Sequence, residues 1–130
     1  MAFGVVDAGV AVGWIQGKHR SFRRIQELFD ACRSEKLDLV ISPVNLVEVL
    51  IHTAEASRAS GVDSLALLKS WNVQVHIPDE AIARRTARLP TSLAGGFAAA
   101  TALELSARLH TTDEEFIRQL RGRRISITRY

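Results

Sequence analysis

Three acidic side chains are spaced so that they can act together. Asp7 follows the short apolar run Phe3 to Val6, Asp113 follows the run Arg108 to Thr112, and Glu48 lies in the second turn of a helix after the run Leu37 to Ile41. If those runs are parallel strands, all three acids reach one edge of the sheet, beyond the carboxyl ends of the strands, where open α/β sheets bind their ligands. Carboxylates gathered in one place repel unless a divalent cation offsets their charge, and such hard oxygen ligands suit Mg²⁺ or Mn²⁺. The spacing therefore predicts a metal site made of Asp7, Glu48 and Asp113.

Each acid also has a structural explanation. Asp7 and Asp113 stand between a strand and a helix, where aspartate is a natural N-cap. Glu48 resists that explanation: its neighbours are Leu46, Val47, Val49, Leu50 and Ile51, and burying an unpaired carboxylate among them is costly. Glu27, Asp30, Glu55, Asp79 and Glu104 fall on polar faces or at caps and read as solvated. His19, His52, His76 and His110 are dispersed without zinc-site spacing, and although His52 lies four residues after Glu48, that pair matches no zinc-protease helix. All four read as surface or core histidines. Gly95 and Gly96 follow no strand and lack both a phosphate-loop lysine and the dinucleotide-binding spacing, so they form no nucleotide cradle. Cys32, the single cysteine, lies in the helical stretch FDACRS with no histidine partner and reads as a small buried apolar residue.

The elements that must position these acids alternate along the chain. After Asp7, AGVAVGWI continues as a helix; Ser21 to Arg33 carries Phe22, Ile25, Leu28, Phe29 and Cys32 at helical spacing. Leu37 to Ile41 is a buried strand, and Ser42-Pro43 caps the helix NLVEVLIHTAEASRAS, which Gly61 breaks. VDSLALLKSW gives a shorter helix, Val73 to Ile77 a third strand, and Pro78-Asp79 starts a helix that Pro90 stops. Thr91 or Ser92 caps the alanine-rich helix LAGGFAAATALELSA. Arg108 to Thr112 is the fourth strand, Asp113 opens a short helix through Leu120, and Ile125 to Thr128 is the fifth strand. Short apolar strands separated by helices imply an α/β fold with a parallel sheet covered on both faces.

At 130 residues the chain has the length of one domain, residues 1–130, with a single core. With 47% apolar and 24% charged residues, its composition excludes disordered and fibrous classes. No apolar run approaches a membrane span and the first residues, MAFGVVDAG, have no basic leader, so a soluble, cytoplasmic protein is expected. The net charge of +3 is modest, but basic residues cluster in Lys18 to Arg24, at Arg84, Arg85 and Arg88, and in Arg118 to Arg124. Such patches suit a polyanion, although any one of them also reads as a solvated helix face. Leu65, Leu67, Leu68 and Trp71 exceed what one helix face must bury and suggest a patch for self-association.

The segments VVDAGVAVGWI, SPVNLVEVL and SLAGGFAAATALELSARLHTTDEEF resemble, in order and spacing, the three signature regions of PIN-domain proteins, most closely the VapC toxins. The resemblance spans nearly the whole chain. It implies a PIN-like three-layer α/β/α sandwich with a parallel sheet of about five strands, a homodimer, a Mg²⁺ or Mn²⁺ site of carboxylates, and endoribonuclease activity restrained by a cognate antitoxin. Carried over by position, Asp7 matches the first acid, Glu48 the second and Asp113 the fourth. The implied chemistry is metal-assisted hydrolysis of an RNA phosphodiester, with Arg84, Arg88 and the Lys18 to Arg24 cluster holding the backbone of a structured RNA.

Two positions depart from the family pattern. Where the third region usually begins LADAF or LGDAF, with its aspartate a metal ligand, this chain reads Leu93-Ala94-Gly95-Gly96-Phe97. The third acid is missing, and activity is expected to be weak or absent. Gly9 stands where the family commonly has Ser, Thr or Asn, while Thr111 and Thr112 keep hydroxyls beside Asp113. Two further readings follow: a catalytically dead PIN-like module that docks an antitoxin or RNA, and a non-nuclease α/β domain whose acids are only caps.

Overall fold

The caps dictate where the elements begin. In the computed structural model, which describes residues 2–130, strand β1 (Phe3–Val6) ends at Asp7, which caps helix α1 (Ala8–Gln16). Helix α2 (Phe22–Arg33) leads to β2 (Asp38–Ile41), and Ser42 with Pro43 at the first helical position starts α3 (Pro43–Ser60). There follow α4 (Ser64–Ser70), β3 (Gln74–Val75), α5 (Glu80–Ala87), α6 (Leu93–Glu104), β4 (Arg108–Thr111), α7 (Glu114–Gln119) and β5 (Ile127–Arg129). Every helix except α2 starts on an Asp or Ser whose side chain accepts a backbone N–H of its own first turn. Gly17 and Gly61 end α1 and α3 in the left-handed conformation that glycine adopts without strain.

All strand pairs are parallel and the order is β3-β2-β1-β4-β5. The chain builds outward from β1 through β2 to β3, then crosses to the other side of β1 to place β4 and β5. The direction of winding thus reverses between β1 and β4, the position at which an open sheet forms a crevice. Alternation along the strands sends Val6, Leu39 and Ile41 into a core shared with α1 to α4, while Val5, Val40 and Leu109 face a second core with α6 and α7. The result is an α/β fold with helices on both faces of a five-stranded parallel sheet.

The sheet edges are shorter than the apolar runs suggest. Of Val73 to Ile77 only Gln74–Val75 pairs, and Ile77 is 73% exposed beside Pro78, which has no N–H to give to a ladder. The apolar surplus assigned to α4 is also consumed internally. Leu68 is fully buried, Leu65 and Leu67 pack against the same core, and Trp71 meets Trp14 edge to face at 5.0 Å while Trp14 stacks on Phe29 at 4.3 Å. Leu65, Leu67, Leu68 and Trp71 therefore form part of this chain's own core and not a free association patch. The exposed large apolar residues are instead Phe3, Val47, Ile51, Val62, Ile77 and Leu93. Among the described residues no helix is long and apolar enough to cross a membrane.

Candidate metal centre

At the reversal point a cavity of about 250 Å³ opens beyond the strand ends, and Asp7, Glu48 and Asp113 all line it. Asp7 is its most buried acid, 8% exposed. Its Oδ1 accepts the Val10 N–H at 3.0 Å, the N-cap bond of α1, and its Oδ2 accepts a hydrogen bond from the Thr111 hydroxyl. Burial pushes the Asp7 carboxyl up to about 6; the Thr111 and Val10 hydrogen bonds oppose that shift, and the charges of Asp113 and Glu48 add to it.

Thr111 joins the two aspartates. Its Oγ1 donates to Asp7 and accepts the Asp113 N–H at 3.0 Å, so the end of β4 is tied to the end of β1 through one hydroxyl. Asp113 sits at the exposed rim of the cavity and caps α7, its Oδ1 accepting the Phe116 N–H at 3.1 Å. Both aspartates are thus helix caps and cavity residues at once. The cap fixes where each carboxylate stands, so a structural role and a chemical role do not compete.

Glu48 is placed differently from the expectation of costly burial. Val47 and Ile51 turn to solvent, 54% and 66% exposed, Val49 turns to the core, and Glu48 is half-buried at the cavity wall. Asn45, Glu48 and His52, at helical spacing, form a polar stripe along α3 that lines the cavity. Asn45 is not singled out by its residue type, and His52, read as a surface or core histidine, stands instead at the cavity wall; the spacing of both relative to Glu48 is the available signal.

Asn45 is 2% exposed, and its Nδ2 donates to the Ala94 carbonyl at 3.1 Å, bridging α3 to the first turn of α6. Its Oδ1 is buried without a hydrogen-bond partner. An acceptor left in that state costs about 1–3 kcal/mol, so its presence in the cavity wall calls for a donor or a cation.

The two unusual glycines shape the same cavity. A Cβ built on Gly9 would overlap Thr112 Oγ1, so the Thr112 hydroxyl fills the space that a side chain at position 9 would take. At Gly95 a Cβ would stand 3.0 Å from Phe116 Cε1 and 3.1 Å from Ser92 Oγ, which the Phe116 ring must yield slightly to accept. Gly95 lines the cavity, and no acid from α6 joins the other three.

The residues fit a hard divalent ion by chemistry. The buried carboxylate, the two further acids and the orphaned amide oxygen are hard oxygen donors, with the His52 imidazole on the same wall. Among the described residues, however, no three His, Cys, Asp or Glu side chains are grouped closely enough to hold an ion between them.

None of Lys18, Arg24, Arg84 and Arg88 lines this cavity. Lys18 and Arg84 are exposed. Arg24 donates to the Arg129 carbonyl at 3.0 Å and lies 4.7 Å over the Tyr130 ring, fastening α2 to the last strand. Arg88 borders a separate hollow with Arg123 and Arg124.

The strand order, the reversal point and the acids set around it define a known class. The sequence signature of the PIN domain matches residues 4–120, and the chain belongs to the PIN domain family. No curated protein matches the sequence. Among solved structures the fold is similar to a chain of VapBC2 from Rickettsia felis bound to a DNA fragment from its promoter, with a TM-score of 0.72 and 16% identity over 98% of both chains. It is likewise similar to a chain of DNA-bound VapBC from Salmonella typhimurium, with a TM-score of 0.71 and 22% identity over 99% of this chain and 98% of that one. A toxin-antitoxin complex from Klebsiella pneumoniae gives a TM-score of 0.71 at 15% identity, covering 98% of both chains.

Proposed function

We propose that this PIN domain is a Mg²⁺- or Mn²⁺-dependent endoribonuclease, the toxin of a toxin-antitoxin pair, whose activity is weakened by the absence of an acid at position 95. The observation that carries the reading is Asp7: a carboxylate buried at the sheet's reversal point, kept ionisable by Thr111 and Val10, with Glu48 and Asp113 on the same cavity. The toxin-antitoxin character of the structural neighbours supports it. Asp7, Glu48 and Asp113 would hold the ion. When bound, the ion supplies activation of water and neutralisation of charge on the phosphate.

The chain's own groups supply the rest. Thr111 holds the Asp7 carboxylate in one orientation, and the caps at Val10 and Phe116 keep both aspartates at the cavity. Lys18, Arg84 and Arg88 offer phosphate contacts outside the cavity, suited to an RNA that extends beyond the scissile bond. Arg24 adds charge to the Lys18 cluster even though its guanidinium is engaged. A homodimer and a cognate antitoxin belong to the same reading, and the exposed Val47 and Ile51, one turn apart on α3, offer apolar surface for association.

Gly95 favours one second reading, a PIN module that docks an antitoxin or RNA without cutting. Incubation with an end-labelled structured RNA separates the two. The nuclease reading expects slow cleavage with Mn²⁺ that EDTA stops and Asp7→Asn abolishes. RNA or antitoxin binding with no cleavage at any Mn²⁺ concentration supports the module, and cleavage indifferent to EDTA contradicts the metal site.

A further inference from the structure

The orphaned oxygen of Asn45 has a use that the three acids leave open. An amide side chain carries one carbonyl oxygen and one NH₂ group, and their assignment follows from what each faces. The Ala94 carbonyl can only accept, so the Asn45 NH₂ must point to it, at 3.1 Å, and the oxygen must then be the unpartnered atom. That oxygen belongs to a residue 2% exposed in the cavity wall, on the same stripe as Glu48 and tied to the backbone next to Gly95. Among the described residues no group donates to it.

We propose that Asn45 Oδ1 is a neutral oxygen donor of the cation site, acting on the α6 side of the cavity where Gly95 contributes none. This rests on the reading of the cavity as a cation site. Amide carbonyls are ordinary donors to hard cations. A neutral one adds a donor without adding negative charge to a cavity lined by three carboxylates, and the Ala94 tie holds it in place before any ion arrives. Asn45 is also a positioning residue through that tie, so the test must separate its oxygen from its NH₂.

Manganese binding, followed by the loss of the free ion's electron paramagnetic resonance signal, makes the separation without reference to cleavage. Asn45→Ala removes the oxygen and the tie; Asn45→Asp removes the tie but keeps an oxygen. Asn45→Ala is expected to weaken Mn²⁺ binding about tenfold, a loss typical of groups that support a metal site, while Asn45→Asp binds at least as tightly as the unaltered chain. Metal-free thermal unfolding of each variant shows that both remain folded. Equal weakening in both variants would mean that only the tie matters and would overturn the proposal, as would no change in Asn45→Ala. Asp7→Asn serves as the reference for the underlying reading. If it loses Mn²⁺ while Asn45→Ala keeps it, the cation site stands and the Asn45 assignment alone fails; if Asp7→Asn binds like the unaltered chain, both fail.

Discussion

Gly95→Asp is expected to strengthen Mg²⁺ binding by about 10- to 100-fold and to raise RNA cleavage by a similar factor, the range over which groups supporting a metal site act. The same change is expected to lower the stability of the metal-free protein. Position 95 is the third residue of α6, and its N–H is held by the Ser92 hydroxyl at 3.1 Å. An aspartate there gains a few tenths of a kcal/mol of helix propensity over glycine and a further ~0.5 kcal/mol from the helix N-terminus. Against these stand two costs. The new Cβ meets the buried Phe116 ring at 3.0 and 3.2 Å, so the ring must give by a few tenths of an ångström. The new carboxylate also joins a cavity where the Asp7 carboxyl already stands at about 6, partly through the charges of Asp113 and Glu48.

The net expectation is a loss on the order of 1–2 kcal/mol at pH 7 without metal, since charges in such a partly buried cluster interact at an effective dielectric far below that of water. Added Mg²⁺ then raises the melting temperature of Gly95→Asp more than that of the unaltered chain, because binding to the native state stabilises it in proportion to occupancy. Thermal scans with and without Mg²⁺, run beside a cleavage assay, check both signs. If the unaltered chain cuts RNA as fast as Gly95→Asp, the third ligand does not come from α6.

The second large effect concerns Asp7 and pH. Its folded carboxyl titrates at about 6 against 3.8 ordinarily, so between those values the native state binds more protons than the unfolded chain. Stability from this group is therefore present at low pH and lost as pH rises toward 6, with a full span of about 3 kcal/mol. His110 acts in the opposite sense. Burial first, and the Arg108 charge second, lower it to about 4, so it favours the fold above pH 6.5 and withdraws that support as pH falls. The difference between the unaltered chain and Asp7→Asn cancels His110 and isolates Asp7.

At pH 7 without metal, Asp7→Asn is expected to be more stable by about 2 kcal/mol, after about 1 kcal/mol is subtracted for a weaker bond to Thr111. At this chain length that is about 6–8 °C in melting temperature. Asparagine caps α1 as well as aspartate does, so the gain reflects removal of a buried charge. The advantage should vanish near pH 4, and Mg²⁺ should no longer stabilise the variant. A metal-free Asp7→Asn that melts below the unaltered chain at pH 7 would mean that the carboxylate is not strained by its surroundings.

Much of this was legible in the residues. Strands β1 and β2 are short, largely apolar runs that stop at Asp7 and Ser42, and β4 keeps Leu109 between polar residues before Asp113; the proline and glycine positions mark the helix ends, so the alternation of strands and helices follows from pattern. The edge strands β3 and β5 are two and three residues long, and pairing at an edge depends on the neighbour and not on local composition. Asp7 and Asp113 were legible because a cap and a sheet-edge acid require the same position. Asn45 was not, because an asparagine in a helix becomes informative only when its amide is seen to have one filled and one empty side. The α4 residues misled for a related reason. Trp71 looks surplus until Trp14 is known to stack on Phe29 and present it an edge.

Binding of a divalent cation in the cavity between β1 and β4 through this chain's acids underlies both expectations. Anomalous diffraction from crystals of the chain grown with Mn²⁺ tests it most directly, because manganese is located independently of any assumption about chemistry. One strong anomalous peak is expected inside the cavity beside Asp7, absent from crystals of Asp7→Asn grown the same way. A cavity without manganese in the unaltered chain, or a peak there that persists in Asp7→Asn, would contradict it.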